Sequence, residues 1–109
     1  MKTQTTRSGA ALIVAFEGDV DLDTSRAARE ALLTAVKESP LVVVDLSAVP
    51  YIDSSGIASL IEAFQKARAE KQTLVLAAVN DKALRALKLA RLDKVFTIVD
   101  TLDEALATA

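Results

Sequence analysis

Neither cysteine nor histidine occurs in this chain, and tryptophan is missing as well. Without cysteine there is no disulfide framework and no thiolate metal site; without histidine, the usual general base and the commonest metal ligand are both gone. Much enzyme chemistry is excluded by these two absences. The formal net charge is only −2 with the signs interspersed, which gives no electrostatic footprint for nucleic acid or an anionic membrane. No apolar run reaches transmembrane length, and the polar start MKTQTTRSG lacks the apolar centre of a signal peptide. A soluble, cytoplasmic protein is expected, with no direct contact to nucleic acid and no membrane insertion. Linkers, internal repeats and low-complexity tracts are also lacking.

What is there is aliphatic. Half of the 109 residues are hydrophobic, yet only one tyrosine and three phenylalanines are present, so small and branched side chains must fill the core. That length suits one domain, residues 1–109, large enough to bury a core without a metal or crosslink.

The chain centres on residues 41–64, where an apolar run, a short polar turn and an amphipathic helix follow one another. Leu41 to Val44 has no polar face, as expected of a strand covered on both sides, and Asp45 is read as its end. Ile57, Leu60, Ile61 and Phe64 then recur at helical spacing, which predicts a helix from Ser54 or Ser55 to Ala69. Between them lies Ser47 to Ile52, an unusually apolar connector whose Val49 and Ile52 are expected to fold onto the core. Tyr51 is expected to pack there too, although an exposed aromatic anchor is the other reading.

Around this centre, residues 2–7 read as an edge strand, and Ser8-Gly9 as a turn into a strand over Ala11 to Phe16. A first helix is predicted from Ser25 to Lys37 with Asp23 or Thr24 as its cap, ended by Glu38-Ser39-Pro40. Thr73 to Val79 reads as another buried strand, Asn80 as the cap of a helix over Asp81 to Ala90, and Val95 to Val99 as a short strand. Thr101-Leu102-Asp103-Glu104 is a capping-box pattern opening a last helix. The order predicts an α/β domain with a mixed, mostly parallel sheet of four to five strands layered with four helices, built from right-handed βαβ units.

The turn Asp53-Ser54-Ser55-Gly56 carries the chemistry. Asp53 or Ser54 can accept from the free amides of the first helical turn, while the serine hydroxyls stand at the carboxyl end of a buried strand, where ligands and partners dock on open α/β sheets. Taken alone, such a turn is also what an ordinary helix cap looks like. Neither serine has a histidine base, and neither a G-x-S-x-G elbow nor a glycine-rich phosphate loop with lysine is present, so catalysis is not expected. Asp19, Asp21 and Asp23 put three carboxylates in five residues; the helix dipole accounts for them, and no supporting metal-ligand set accompanies them. Arg85, Lys88, Arg91 and Lys94 read as a solvated basic face.

With these elements in hand, the chain resembles the STAS domain family of bacterial anti-sigma factor antagonists and related partner-switching modules. The carrying segments are Val44-Asp45-Leu46-Ser47, then Tyr51-Ile52-Asp53-Ser54-Ser55-Gly56-Ile57, and more weakly Gly18-Asp19-Val20-Asp21. Two departures stand out: Gly56-Ile57-Ala58 where the family usually has Gly-Leu-Gly, and Asp19 where Glu is frequent. The resemblance implies a non-enzymatic, cofactor-free phosphoprotein regulating transcription. Ser54 would be phosphorylated by a serine kinase/anti-sigma factor of the histidine-kinase-like ATPase type, reset by a serine phosphatase, and Asp21, Asp53, Ser55 and Gly56 would meet the partner. Asp53 would cap and orient the turn, Ser55 would be the weaker acceptor, and ATP and magnesium would belong to the kinase. A second expectation is the cytoplasmic STAS subunit of a lipid-transporting ABC complex, held constitutively by a permease and an ATPase.

Overall fold

The computed structural model describes residues 1–108. Its element order is β1 (Lys2–Ser8), β2 (Ala11–Glu17), α1 (Ser25–Glu38), β3 (Leu41–Ala48), α2 (Ser54–Ala69), β4 (Thr73–Ala77), α3 (Asp81–Leu89), β5 (Thr97–Val99) and α4 (Leu102–Leu106). The five strands lie in one sheet in chain order, β1-β2-β3-β4-β5. β1 and β2 form an antiparallel hairpin turning at Gly9, whose φ of +60° suits glycine; every later pairing is parallel.

Strand order explains the layers. Each parallel crossover steps in the same direction across the sheet, so right-handed connections carry α1, α2 and α3 to one face. The side chains sort accordingly. Leu12, Val14, Phe16, Val42, Val44, Leu46, Leu74 and Leu76 share a core with Ala28, Leu32 and Val36 of α1, Leu60 and Ala63 of α2, and Leu87 of α3. The alternate positions Ala11, Leu41, Val43, Val75 and Ala77 meet Ala105 of α4 on the other face. Val42, Val43 and Val44 are completely buried, as their continuous apolar run predicts for a doubly covered strand. The α/β class, the mixed sheet and the four helices are those expected from the sequence.

Several boundaries are corrected. β3 does not end at Asp45, which still pairs with Ala15 of β2 and Ala77 of β4; the strand runs on to Ala48 alongside β2, where Ala48 pairs with Glu17. β4 stops at Ala77 rather than Val79, because Ala78 takes a φ of +57° and turns the chain away. β5 begins at Thr97 rather than Val95: the Val95 and Phe96 amides donate back to the Leu92 carbonyl, each at 3.0 Å, and so form a turn. α3 ends one residue early, at Leu89. Asn80 and Thr101 cap α3 and α4 as expected, accepting from Ala83 N–H at 2.8 Å and Glu104 N–H at 3.1 Å. At α1, Thr24 is the cap residue but its side chain caps nothing; the Asp21 backbone carbonyl upstream accepts from Ser25 N–H at 2.7 Å. No helix among the described residues is long and apolar enough to cross a membrane.

Candidate functional site

β3 delivers the chain to the carboxyl edge of the sheet, and the connector that follows is anchored from below. Val49 is fully buried and Ile52 nearly so. Ile52 also bridges to Val20 as an isolated parallel pair: Val20 N–H donates to Tyr51 O at 3.0 Å, and Asp53 N–H donates to Val20 O at 3.2 Å. The loop after β2 and the connector after β3 are thereby stitched together just before α2 begins. Tyr51 departs from the expected packing. It is 43% exposed, with Lys82 Nζ 5.4 Å above its ring. Ile52 and Val49 take the inward positions, so the residue between Pro50 and Ile52 is left facing out.

Asp53 caps α2 from an extended backbone, and each carboxylate oxygen has its own partner. Oδ1 accepts from Gly56 N–H at 2.9 Å, the capping bond expected at this position. Oδ2 accepts from Leu22 N–H at 3.1 Å, across to the loop that precedes α1. This second bond was not legible in the sequence, since the two residues are 31 positions apart. Asp53 thus ties the helix start and the neighbouring loop into one unit.

Gly56 is buried. A β-carbon there would lie 2.4 Å from Val20 O and 2.7 Å from Ile52 Cγ2, so the missing side chain makes room for the chain's own loop. The close approach that Gly56 permits is thus to the chain's own loop. Ser54, by contrast, is exposed at the first position of α2, and Ser55 is half-buried beside it. Because Asp53 takes the Gly56 amide, the Ser54 and Ser55 amides remain free at the positive end of the helix dipole. The Ser55 carbonyl accepts from Ser59 Oγ at 3.1 Å, which also donates to Ser25 O at 2.9 Å and seals α2 against α1. Of the two serines, Ser54 is the more exposed.

In the loop before α1, Asp21 is turned inward. Its Oδ1 accepts from Asp23 N–H at 3.0 Å and Thr24 N–H at 3.3 Å, and its backbone carbonyl takes Ser25 N–H at 2.7 Å. Asp21 is a turn builder first, while Asp19 and Asp23 beside it are exposed. Leu22 stands between them with its side chain 76% exposed. Among the described residues, no three His, Cys, Asp or Glu side chains converge as metal ligands. The arrangement presents the exposed Ser54 and the half-buried Ser55 over the first amides of α2, on a base stitched to the loop before α1.

A family model described as the STAS domain matches residues 2–105. The chain belongs to the STAS domain family. Among curated proteins, this STAS domain is 32% identical over 82 residues to the "Anti-sigma-B factor antagonist" of Listeria monocytogenes, covering 74% of this chain and 72% of the relative. It is 33% identical over 95 residues to the "Anti-sigma-F factor antagonist RsfB" of Mycobacterium tuberculosis, covering 86% and 77%. The solved structure of an anti-sigma factor antagonist from Mycobacterium paratuberculosis is similar with a TM-score of 0.90 at 29% identity, over 98% of this chain and 92% of that one.

Proposed function

We propose that this STAS domain is an anti-sigma factor antagonist, switched by phosphorylation of Ser54. The observation that carries the proposal is the exposed Ser54 hydroxyl at the first position of α2, directly after the Asp53 cap, in a chain similar to two named anti-sigma factor antagonists. Its partner is a serine kinase/anti-sigma factor of the histidine-kinase-like ATPase type. Unphosphorylated, the face formed by the Asp53 turn, the start of α2 and the loop around Asp21 docks on that partner and releases its client. ATP and magnesium are the kinase's, and a serine phosphatase restores the hydroxyl.

Two electrostatic effects meet at Ser54. A phosphate there adds close to two negative charges. The free Ser54 and Ser55 amides and the helix dipole accommodate it within the domain, whereas Asp53 and the acidic loop oppose it. The fold tolerates an exposed anion at this helix end. Docking does not, because the partner has to desolvate the new charge, at a cost of a few kcal/mol, or about a hundredfold in affinity.

The test is incubation of the purified chain with its kinase, ATP and magnesium, followed by mapping of the phosphate by mass spectrometry. Label is expected on Ser54 and lost in Ser54→Ala. Equal labelling of Ser54→Ala and wild type would transfer the acceptor role to Ser55 or elsewhere.

A further inference from the structure

Leu22 is among the most exposed large apolar side chains described, yet its backbone is hydrogen-bonded to the start of α2 and lies between two tied neighbours. It projects from a loop whose Val20 is buried at 2% exposure and bonded through both N–H and C=O to the connector before α2. Its own amide is held by Asp53 Oδ2, and the turn that follows is closed by bonds from Thr24 and Ser25 N–H to Asp21 O at 3.1 and 2.7 Å. A leucine kept 76% in water on a fixed backbone does nothing for the core. It does have what an interface anchor needs, because a preorganised apolar side chain loses little freedom on docking.

Its surroundings define what it fits. Asp23 beside it and Asp19 three residues before it are exposed, and no lysine or arginine lies between Glu17 and Asp23; the next basic residue, Arg26, is paired with Glu30 at 3.4 Å. A complementary surface is therefore an apolar pocket with a cationic rim. The Asp53 carboxylate that caps the Ser54 helix is the one that holds Leu22, so anchor and acceptor are fixed relative to each other.

We infer that Leu22 is the apolar anchor by which this domain selects its serine kinase/anti-sigma factor, inserting into an apolar, cation-rimmed pocket on that protein beside the one that receives Ser54. This rests on the proposed phosphorylation switch. It adds to it a specificity residue that forms no part of the acceptor turn.

The experiment titrates each serine kinase/anti-sigma factor of the source organism with wild type, Leu22→Ala and Leu22→Met, reading Kd, the steady-state kinetics of Ser54 phosphorylation and thermal stability. For the kinase that labels wild type, Leu22→Ala is expected to raise Kd and KM at least tenfold with kcat within twofold and Tm unchanged, since the side chain touches neither core nor reacting atoms. Leu22→Met is expected to stay within about threefold of wild type, because a flexible apolar chain fills the same pocket. Unchanged KM in Leu22→Ala overturns the anchor while leaving the switch intact. So does a loss confined to kcat, or a drop in Tm, which would make Leu22 a structural residue. Failure of every kinase to bind or label wild type overturns the switch itself, and the anchor with it.

Discussion

At Gly56 a single hydrogen atom decides whether the site can assemble. An added methyl would overlap Val20 O at 2.4 Å, and the neighbour is backbone pinned on both sides, so it cannot give way. Gly56→Ala is expected to lose about 2–3 kcal/mol of stability, measured by urea denaturation, and to weaken partner binding along with it. Asp53→Asn separates the two jobs of that carboxylate. The amide oxygen still accepts from Gly56 N–H, but the NH₂ now confronts Leu22 N–H, donor against donor. Expected are a loss of about 1 kcal/mol and at least tenfold faster hydrogen exchange at the Leu22 amide, with the Gly56 amide still protected. The cap was legible in the sequence because its spacing is local. The bond to Leu22 was not, since nothing in the sequence relates positions 22 and 53 until the sheet sets the two loops side by side.

Among the elements, those with a strong period are legible in the sequence and those held by a few contacts are not. Val42 to Val44 and the caps Asn80 and Thr101 are local signals, and the structure follows them; the α2 stripe is followed only in part, since Leu60 is buried but Ile57, Ile61 and Phe64 are half-buried, and the small Ser59, Ala63 and Ala67 take the innermost places. The end of β4 and the start of β5 depend instead on the left-handed Ala78 and on the turn closed at Leu92, neither of which has a composition signature. Of the two readings open for Tyr51, packed or exposed, the structure takes the exposed one, because an apolar connector has two faces and Val49 and Ile52 already fill the inner one. Phe96 shows the counterpart. Although it lies in a turn rather than a strand, it is 3% exposed and meets Phe64 of α2 edge-on, with ring centroids 5.3 Å apart. This contact holds the turn before β5 against the helix layer. Phe96→Ala is expected to cost about 3–5 kcal/mol in chemical denaturation, and β5 amides should lose protection before those of β3.

Across the whole molecule, the core and the proposed recognition face lie in different places. The core lies between the sheet and α1 to α3, with a smaller cluster under α4, whereas Ser54, Leu22 and Tyr51 all face out at the carboxyl edge of the strands. A charge added at that edge acts on the surface while the buried valines below keep their packing. The chain phosphorylated on Ser54 is therefore expected to keep its far-ultraviolet circular dichroism and a Tm within a few degrees of the unmodified protein, while its affinity for the kinase/anti-sigma factor falls about a hundredfold. Raising the salt concentration separates repulsion from desolvation: screening at physiological ionic strength already reaches within about 8 Å, so a loss caused by distant like charges shrinks as salt rises. A loss caused by stripping water from the phosphate persists. Persistence is the outcome that the exposed position of Ser54 over free helix amides leads us to expect, and recovery of binding in high salt would place the switch in long-range repulsion instead.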